Sequence, residues 1–599
     1  MSTIQQTPLK GIPFASPKKN QPVHIKLQPE DLKSAAADDY TQTKGLDIGF
    51  SSEETNKGWL SSLFSGGPDA STAAAANPQA NREPASFKLG QASLAGHFAD
   101  DANHGHYPNS RHEIRTYMPV EGGRVASVSF QDLLQAVKIP SVPSQHFVVS
   151  QKQVQDAVNS TGAEREEQLH DLSKLKQGDR VVPKDATLNP TDVTMFLRST
   201  GDVSTRYAQQ MSRIGEIEGF HVVAGISDGS ARSFKSALDG YNNVSLMEIP
   251  HGEVWVEDYS EPTLTGGQVT PAIFSDSRGR LVSEAIADGR EKRFRGTGLD
   301  GAFAYHGAVN QGKYQDAALA RGIANQGPLR QALSYMEGGN IYTGTRANGE
   351  GYVLVGRDSM AVTQALLEEQ TGRKWTESEV SKVIAADMGL KPDGVVPVEQ
   401  PGAFHLDMRM TAIAPGEIVL NDSKAAAEQQ IQWMKQAVEK QVASGSISDY
   451  DAKSKLRQID DMARGMRQQA EKMAPYEELS AQDLRKAGFT VHRMAGSFVD
   501  PQKPTRDTAN YFNARHGTNE NGERFSVLMG GQTHEEAYVA QQLFELGGAD
   551  LSRIHFLDPK VTQSTLDLMG GLKCRTKPEG DLVSQNLIEN PAQAQLISA

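Results

Sequence analysis

Cys574 is the only cysteine of the 599-residue chain, and it lies in the stretch GGLKCRT, after two glycines and between two basic residues. A lone thiol cannot form an intramolecular disulfide, so an ordinary core must hold the fold together. Most buried cysteines act as small apolar side chains, whereas a thiolate is a strong nucleophile. The chemistry of Cys574 therefore depends on which groups the fold brings to it.

Three acids and one histidine lie in short motifs upstream of this cysteine. Asp258 is in WVEDYSEP, at the expected end of a strand, and Glu337 precedes two glycines in YMEGGNIY. His405 and Asp407 are two residues apart in AFHLDMRM, which would place them on one face of an extended segment. Each has an ordinary structural interpretation, as a turn cap, a solvated acid or a hydrogen-bonded His–Asp pair.

Taken together, one thiol, one imidazole and three carboxylates favour a cationic, planar substrate with several N–H donors. A guanidinium group has these properties, because carboxylates bind it through paired, charge-assisted hydrogen bonds. A metal site is the competing interpretation, and it is weaker because a cysteine with three acids mixes soft and hard ligands. We therefore predict neither a metal nor a cofactor.

The order of sequence patterns predicts an α/β fold in three parts. Residues 1–115 are rich in Ala, Ser, Asn, Pro and Asp and are predicted to be a disordered N-terminal tail. Residues 116–215, including NPTDVTMFLRS, have helical spacing and are predicted to form a small helical region. Residues 216–599 alternate short strands with helices and are predicted to be the catalytic domain. Within it, 423–488 is wholly helical and is predicted to be an inserted helical hairpin.

Several elements of the catalytic domain have specific signals. NIYTGTRANGEGYVLVG predicts two strands around an Asn348-Gly349 turn, and GEIVLND and ERFSVLMGG predict further strands. Thr533 and Glu536 predict a capping box at the start of a late helix. GTGLDG resembles a dinucleotide fingerprint but follows no strand, so we discount it. The basic run DGREKRFRG before it is predicted to be a solvated loop.

The composition argues against two classes of partner. A net charge of −13 does not suit a nucleic-acid surface, and no apolar run approaches the length of a membrane span. The first residues lack the apolar segment of a secretory signal. We expect a cytoplasmic protein or one exported without a cleaved signal, as an effector would be.

The motifs VWVEDYSEP, MEGGN, HLD followed by GEIVLND, and GGLKC resemble, in this order, those of the guanidine-modifying or pentein enzymes. This superfamily includes arginine, agmatine and peptidyl-arginine deiminases, dimethylarginine hydrolases and amidinotransferases. The resemblance covers about 219–580, with the helical block as an insertion. It implies a five-bladed α/β propeller in which each motif arrives on a different ββαβ module.

The resemblance also implies roles for the catalytic groups. Cys574 would attack the guanidinium carbon, and His405 would protonate the departing amine and then activate water. Glu337 would orient His405 or bind substrate. Lys573 and Arg575 flank the nucleophile and, on a strand, would point away from the pocket.

The remaining motif residues would bind and accommodate the substrate. Asp258 and Asp407 would bind the guanidinium nitrogens. Gly338 and Gly339 would let the backbone approach the site closely, as would Gly570 and Gly571.

The expected activity is hydrolysis of a guanidino group to a ureido group and ammonia. Peptidyl arginine is the favoured substrate, and free arginine and agmatine stay open. The helical insertion would either serve only in packing or form a docking wall for a protein or a lid over the site. An amidinotransferase would need the same residues. Outside the enzymes, the alternative is a non-catalytic effector or scaffold that uses the same fold.

Overall fold

The computed structural model describes most of the second half of the chain. The described residues are 180–185, 192–201, 203–227, 230–241, 243–249, 254–258, 260–264, 268–271, 279–299, 329–332, 334–371, 374–568 and 570–579, with the short strands Ile25–Lys26, Ser86–Phe87, Arg115–Thr116, Pro119–Val120, Arg124–Val125, Val148–Val149 and Ala594–Gln595. The predicted disordered tail and the first part of the predicted helical region, up to residue 179, lie outside this set, apart from those strands.

The described residues form a mixed α/β fold. Its longer strands and the helices between them follow one another along the chain. The strands are β1 Asp192–Leu197, β2 His221–Ser227, β3 Val244–Ile249, β4 Glu261–Pro262, β5 Gln268–Thr270, β6 Leu329–Gln331, β7 Ile341–Thr345, β8 Gly351–Gly356, β9 Val395–Val398, β10 Met410–Ala414, β11 Glu417–Asn421, β12 Thr490–Met494, β13 Ser497–Asp500, β14 Lys503–Asn510, β15 Arg515–Thr518, β16 Arg524–Leu528, β17 Ile554–Phe556 and β18 Lys577–Glu579. The helices are α1 Val203–Glu218, α2 Ala231–Ala237, α3 Gly279–Phe294, α4 Arg357–Thr371, α5 Glu377–Met388, α6 Ser423–Ala443, α7 Asp449–Lys486, α8 Thr533–Glu545, α9 Pro559–Leu566 and α10 Leu572–Arg575.

Four sheets share one arrangement, in which two antiparallel strands are followed by a helical crossover and a third strand parallel to the second. These sheets are β4–β5–β6, β7–β8–β9, β10–β11–β12 and β15–β16–β17. The strand Arg115–Thr116 adds to the outer edge of the last. A parallel pair requires a crossover of this kind, which explains why each sheet contains a helix between its second and third strands.

A fifth sheet with the same arrangement is assembled from two distant parts of the chain. Strand β18 is antiparallel to β1, and β1 is parallel to β2, with α1 between them. Beyond β2 the sheet continues through β3 and Val148–Val149 to Ala594–Gln595. Among the described residues, the arrangement of an antiparallel pair, a helical crossover and a strand parallel to the second therefore occurs five times.

The helical interpretation of NPTDVTMFLRS is wrong, since Asp192–Leu197 is the strand β1. Val193 to Leu197 are all buried, as expected for a parallel strand covered on both faces. Such a strand has no polar face, so its apolar residues also match a helical spacing. The predicted boundary at 216 falls inside α1, which packs on this same sheet.

Helices α6 and α7 occupy the stretch predicted to be a helical insertion. Their N-termini are capped by the side chains of Asp422 and Ser448. The apolar face of α6, which includes Ile431 and Met434, packs on the apolar face of α7 around Ile459. The two helices thus form a hairpin with its own small core.

Other local predictions met different outcomes. The hairpin β7–β8 is confirmed, with Gly349 at a φ of 83° in its turn. The capping box of α8 lies one residue earlier than predicted, between Gln532 and Glu535. DGREKRFRG is not a solvated loop, because most of it belongs to α3 and Arg290 is buried against Asp358, with Nη2 2.5 Å from Oδ2.

Within the described ranges, no helix combines the length and apolar content needed to cross a bilayer.

Candidate active site

The predicted site residues lie in short turns that directly precede the first strand of each sheet. The turns Val256–Asp258, Gly338–Asn340 and Leu406–Met408 precede β4, β7 and β10. The single turn α10, which contains Cys574, precedes β18, and the segment 511–514 precedes β15. These turns contact one another, so five sheets contribute to one place.

The local conformations differ from those predicted. Asp258 precedes a strand instead of ending one, and Asp407 lies in a 3₁₀ turn that follows the extended His405. Cys574 lies in a helical turn and not on a strand. His405 and Asp407 both lie close to Gly339, and the tight turn brings their side chains nearer to this residue than an extended strand would.

Cys574 is 6% exposed, and its thiol lies beside a carboxylate and an amide. The thiol donates to Oδ2 of Asp407 at 3.6 Å. Nδ2 of Asn513 donates to Sγ at 3.2 Å. Burial raises the pKa of the thiol well above its usual value, and the negative charges of Asp407 and Asp258 raise it further. An empty site therefore holds a protonated thiol.

His405 is paired with Glu337. Its Nε2 lies 2.7 Å from Oε2 of Glu337, whose other oxygen accepts from the hydroxyl of Tyr335. The ring of Phe404 lies 4.2 Å from the imidazole, centroid to centroid. Burial alone would lower the pKa of His405, but the hydrogen bond and charge of Glu337, with Asp258 and Asp407, raise it. The imidazole thus binds a proton more readily than it would without these carboxylates.

Asp407 is fully buried and only partly satisfied. Among the described residues, its Oδ1 has no hydrogen-bond partner. Burial raises the pKa of Asp407 to about 6, although Lys573 and His405 oppose this shift. Asp258 is half-buried and accepts from the backbone N–H of Gly339 at 3.2 Å. Of the acidic groups, these two carboxylates contribute most to the raised pKa of the thiol.

The predicted glycines lie where a side chain would collide with the site. A Cβ on Gly339 would overlap Nδ1 of His405 and lie 3.0 Å from Oδ2 of Asp407. A Cβ on Gly338 would overlap the backbone carbonyl of Glu257, and one on Gly571 would lie 2.6 Å from Cβ of Asn513. The backbone therefore reaches the site only because these positions lack side chains.

A buried ionic cluster lies behind the turns. Glu257 is bound by Lys184 at 2.8 Å, by Arg515 at 2.5 Å and by Lys573 at 2.8 Å. Burial would raise the pKa of Glu257, but these three cations hold it well below its usual value. Lys573 also donates to the carbonyl of Gly338 at 2.9 Å. The cluster thereby ties the cysteine turn to the turns that carry Asp258 and Glu337.

The two neighbours of Cys574 are both buried and engaged elsewhere. Lys573 reaches the ionic cluster, and its Nζ lies 4.6 Å from the ring centre of Tyr342. The guanidinium carbon of Arg575 lies 5.2 Å from the ring centre of Trp255 and 5.6 Å from that of Tyr207. Among the described residues, no group of three or more His, Cys, Asp and Glu side chains is placed to hold a metal ion.

The sequence reasoning missed Asn513, Glu257 and the role of Lys573. Glu257 and Lys573 each adjoin a predicted site residue, but they pair with each other across 316 residues of the chain. Asn513 stands two residues before β15, in the position that the other site residues hold before their own strands. That position is the signal that could have revealed it.

Residues 189–473 match the family model of Porphyromonas-type peptidyl-arginine deiminase. The resemblance to the guanidine-modifying enzymes is confirmed. Solved structures similar to this deiminase-like chain include the agmatine deiminase of C. jejuni, with 12% identity, a TM-score of 0.40, and coverage of 68% of this chain and 98% of that one. The agmatine deiminase of Enterococcus faecalis gives 13%, 0.40, 68% and 100%, and DDAH from Pseudomonas aeruginosa gives 10%, 0.25, 65% and 99%. No protein of curated function matches the chain.

Proposed function

We propose that this protein is a deiminase that hydrolyses a guanidino group to a ureido group and ammonia, with Cys574 as the nucleophile. The observation that carries the proposal is the buried carboxylate of Asp407. One of its oxygens lies 3.6 Å from the thiol, and the other has no partner among the described residues. A guanidinium N–H would satisfy that oxygen and bring the guanidinium carbon to the sulfur.

The electrostatics support formation of the thiolate after the substrate has bound. The carboxylates of Asp407 and Asp258 raise the pKa of the Cys574 thiol in the empty site. A guanidinium cation between them compensates their charge, which lowers the pKa of the thiol. The reactive thiolate therefore forms when a guanidinium cation is bound, and without that cation the thiol keeps its proton.

The proposed reaction has two steps. The thiolate of Cys574 attacks the guanidinium carbon, His405 donates a proton to one nitrogen, and ammonia leaves with formation of a covalent amidino–sulfur bond. His405 then takes a proton from water, the hydroxide attacks the same carbon, and the C–S bond breaks while the new hydroxyl group loses its proton to solvent, which releases the neutral ureido product and the thiolate. Glu337 supports this role, since it keeps the pKa of His405 raised.

The fold proposed for this site is a five-bladed α/β propeller. Its support is the fivefold recurrence of hairpin, crossover and parallel strand, together with a contributing turn before the first strand of every sheet. Such an arrangement brings residues from 258 to 574 to one centre.

Peptidyl arginine is the substrate we propose, with free arginine and agmatine as alternatives. The matching family model is that of a peptidyl-arginine deiminase. The helical hairpin also lies against the loop that leads to His405, because a Cβ on Gly402 would come within 2.7 Å of Sδ of Met473. We propose that the hairpin contacts a protein substrate. A cytoplasmic and an exported protein are both compatible with a chemistry that needs a free thiol.

The test is ureido formation from free arginine, agmatine and an arginine-containing protein, with and without calcium, beside Cys574→Ala. Product that disappears in the variant supports the proposal and names the guanidine. If no product forms and a haloacetamidine does not label Cys574, the non-catalytic scaffold is the better account. Labelling without ureido product would indicate transfer of the amidino group to an amine.

A further inference from the structure

The carboxylate of Glu337 has a second hydrogen-bonded neighbour besides His405. Its Oε2 lies 2.7 Å from Nε2 of His405, and its Oε1 accepts a hydrogen bond from the hydroxyl of Tyr335. Glu337 and Tyr335 are both buried, so these bonds form away from solvent. Both oxygens of the carboxylate are therefore engaged, one by the imidazole and the other by a phenol.

The backbone conformation explains why Tyr335 can reach Glu337. Glu337 is extended, with a φ of −114° and a ψ of 130°, and it directly precedes the turn Gly338–Asn340. Side chains two residues apart in an extended segment lie on the same face. The segment that carries the acid therefore also supplies a hydrogen-bond donor to it.

The ring of Tyr335 packs against two helices outside the site. It lies in a small apolar core that α3 and α4 share, with Val282, Ile286, Val362 and Leu366. The side chain is 1% exposed, and close packing of this kind keeps a ring in one position. The hydroxyl at the end of the ring is thus held in place beside Glu337.

The backbone that leads to Glu337 is bound to α4 and α5. The N–H of Tyr335 donates to Oγ1 of Thr363, on α4, at 3.0 Å. One residue earlier, the N–H and the hydroxyl of Ser334 donate to Oδ2 of Asp387, on α5, at 3.0 and 2.6 Å. Tyr335 is anchored through both its backbone and its ring, so its hydroxyl is a rigid donor.

We propose that Tyr335 is a positioning residue, whose hydroxyl fixes the carboxylate of Glu337 so that Oε2 faces His405. The torsion that rotates a glutamate carboxylate has broad minima, so a carboxylate held at one oxygen can still turn. A donor at the second oxygen removes this freedom, and a phenol does so without a positive charge that would repel the imidazolium. The proposal rests on the proposed function, because His405 is the proton donor and acceptor of that reaction.

The test follows the proton on Nε2 of His405, which faces a carboxylate and therefore donates. In the full-length protein labelled with [¹⁵N]histidine, NMR gives the rate at which this proton exchanges with solvent, and its signal is assigned by its absence from His405→Gln. Tyr335→Phe removes only the hydroxyl. Tyr352→Phe is the matched control, since Tyr352 is equally buried and its hydroxyl has no hydrogen-bond partner among the described residues.

We expect the proton to exchange about tenfold faster in Tyr335→Phe, and kcat for ureido formation to fall about tenfold with KM unchanged, because the imidazole loses its fixed orientation. In a Glu337→Ala background, which has no carboxylate to fix, Tyr335→Phe should not change the exchange rate further. The control should behave as the wild type.

Unchanged exchange in Tyr335→Phe overturns the proposal, as does equal acceleration in Tyr352→Phe or a further acceleration in the Glu337→Ala background. Exchange needs no turnover, so faster exchange in Tyr335→Phe without ureido product from the wild type would count against the proposed function alone.

Discussion

Glu337 and His405 form a buried pair, with 2.7 Å between Oε2 and Nε2, across two different sheets. Glu337→Gln removes the charge that opposes burial, so the pKa of His405 should fall below its raised value. A smaller fraction of the imidazole would then carry the proton that the reaction needs, and we expect kcat/KM for ureido formation to fall about 100-fold. The pH profile of kcat/KM should also shift to lower pH. Glu428→Gln, at an exposed ion pair with Arg467, should leave both unchanged, and a wild-type profile in Glu337→Gln would contradict the assignment.

Gly339 should not tolerate even a methyl group. A Cβ there overlaps the imidazole of His405, so Gly339→Ala must displace this imidazole or the turn itself. We expect activity to fall at least 100-fold and the free energy of unfolding to fall by about 1–3 kcal/mol, measured by urea titration. Gly201→Ala, where a Cβ meets nothing within 4 Å, is the control. Full activity in Gly339→Ala would show that His405 is not confined as described.

Asp407 should make stability depend on pH. Its pKa is about 6 in the folded protein against 3.8 in the unfolded chain, so between these values the folded state binds the extra proton. The wild type should therefore lose stability as pH rises from 4 to 6, by roughly 1–3 kcal/mol. Asp407→Asn should lack this part of the decline and should also lack activity. The check is urea unfolding of both proteins across this range, with exposed Asp461→Asn as control; parallel curves would be inconsistent with a buried acid.

Removing the anion of the ionic cluster should lower the free energy of unfolding more than removing one of its cations. Glu257→Gln leaves three buried cations without their shared anion, whereas Lys573→Met leaves Glu257 with Lys184 and Arg515. We expect a loss of about 3–5 kcal/mol for Glu257→Gln and a smaller loss for Lys573→Met, by urea unfolding. Arg464→Ala, at an exposed pair with Asp461, should change little. Equal losses from the two cluster variants would mean that the cations do not share one partner.

Met473 offers a way to separate protein substrates from small ones. It lies on the helical hairpin against Gly402, next to the loop of His405. If the hairpin contacts a protein substrate, Met473→Ala should raise KM for an arginine-containing protein several-fold and leave KM for free arginine unchanged. Ureido formation measured on both substrates is the check, with Met462→Ala, farther along the same helix, as control. An equal change on both substrates would indicate that the hairpin only supports the loop.

The residues with chemical character could be identified from sequence, whereas their geometry could not. Sequence motifs single out five such residues: Cys574, His405, Glu337, Asp258 and Asp407. The turn conformation of their segments could not be predicted, because the same few residue types occur in tight turns and at the ends of strands.

The groups that sequence reasoning missed have partners distant in the chain. Asn513 has no charge, and Lys573 is predicted only to point away from the pocket, whereas it is fully buried. The fivefold recurrence was also hidden, since one crossover is the single helix α8 and another is the long pair α6 and α7. The apolar residues of the strand β1 also match a helical spacing, because both of its faces are buried.

The sheet that joins β18 to β1 has a consequence for biosynthesis. On a ribosome, β1, α1 and β2 emerge several hundred residues before β18, and until then the edge of β1 lacks its antiparallel neighbour. The cysteine turn is translated immediately before β18, so it can join the other turns of the site only at the stage when β18 is made. A nascent chain should thus carry every acid of the site and still be inert toward guanidines until the cysteine turn and β18 have been synthesised.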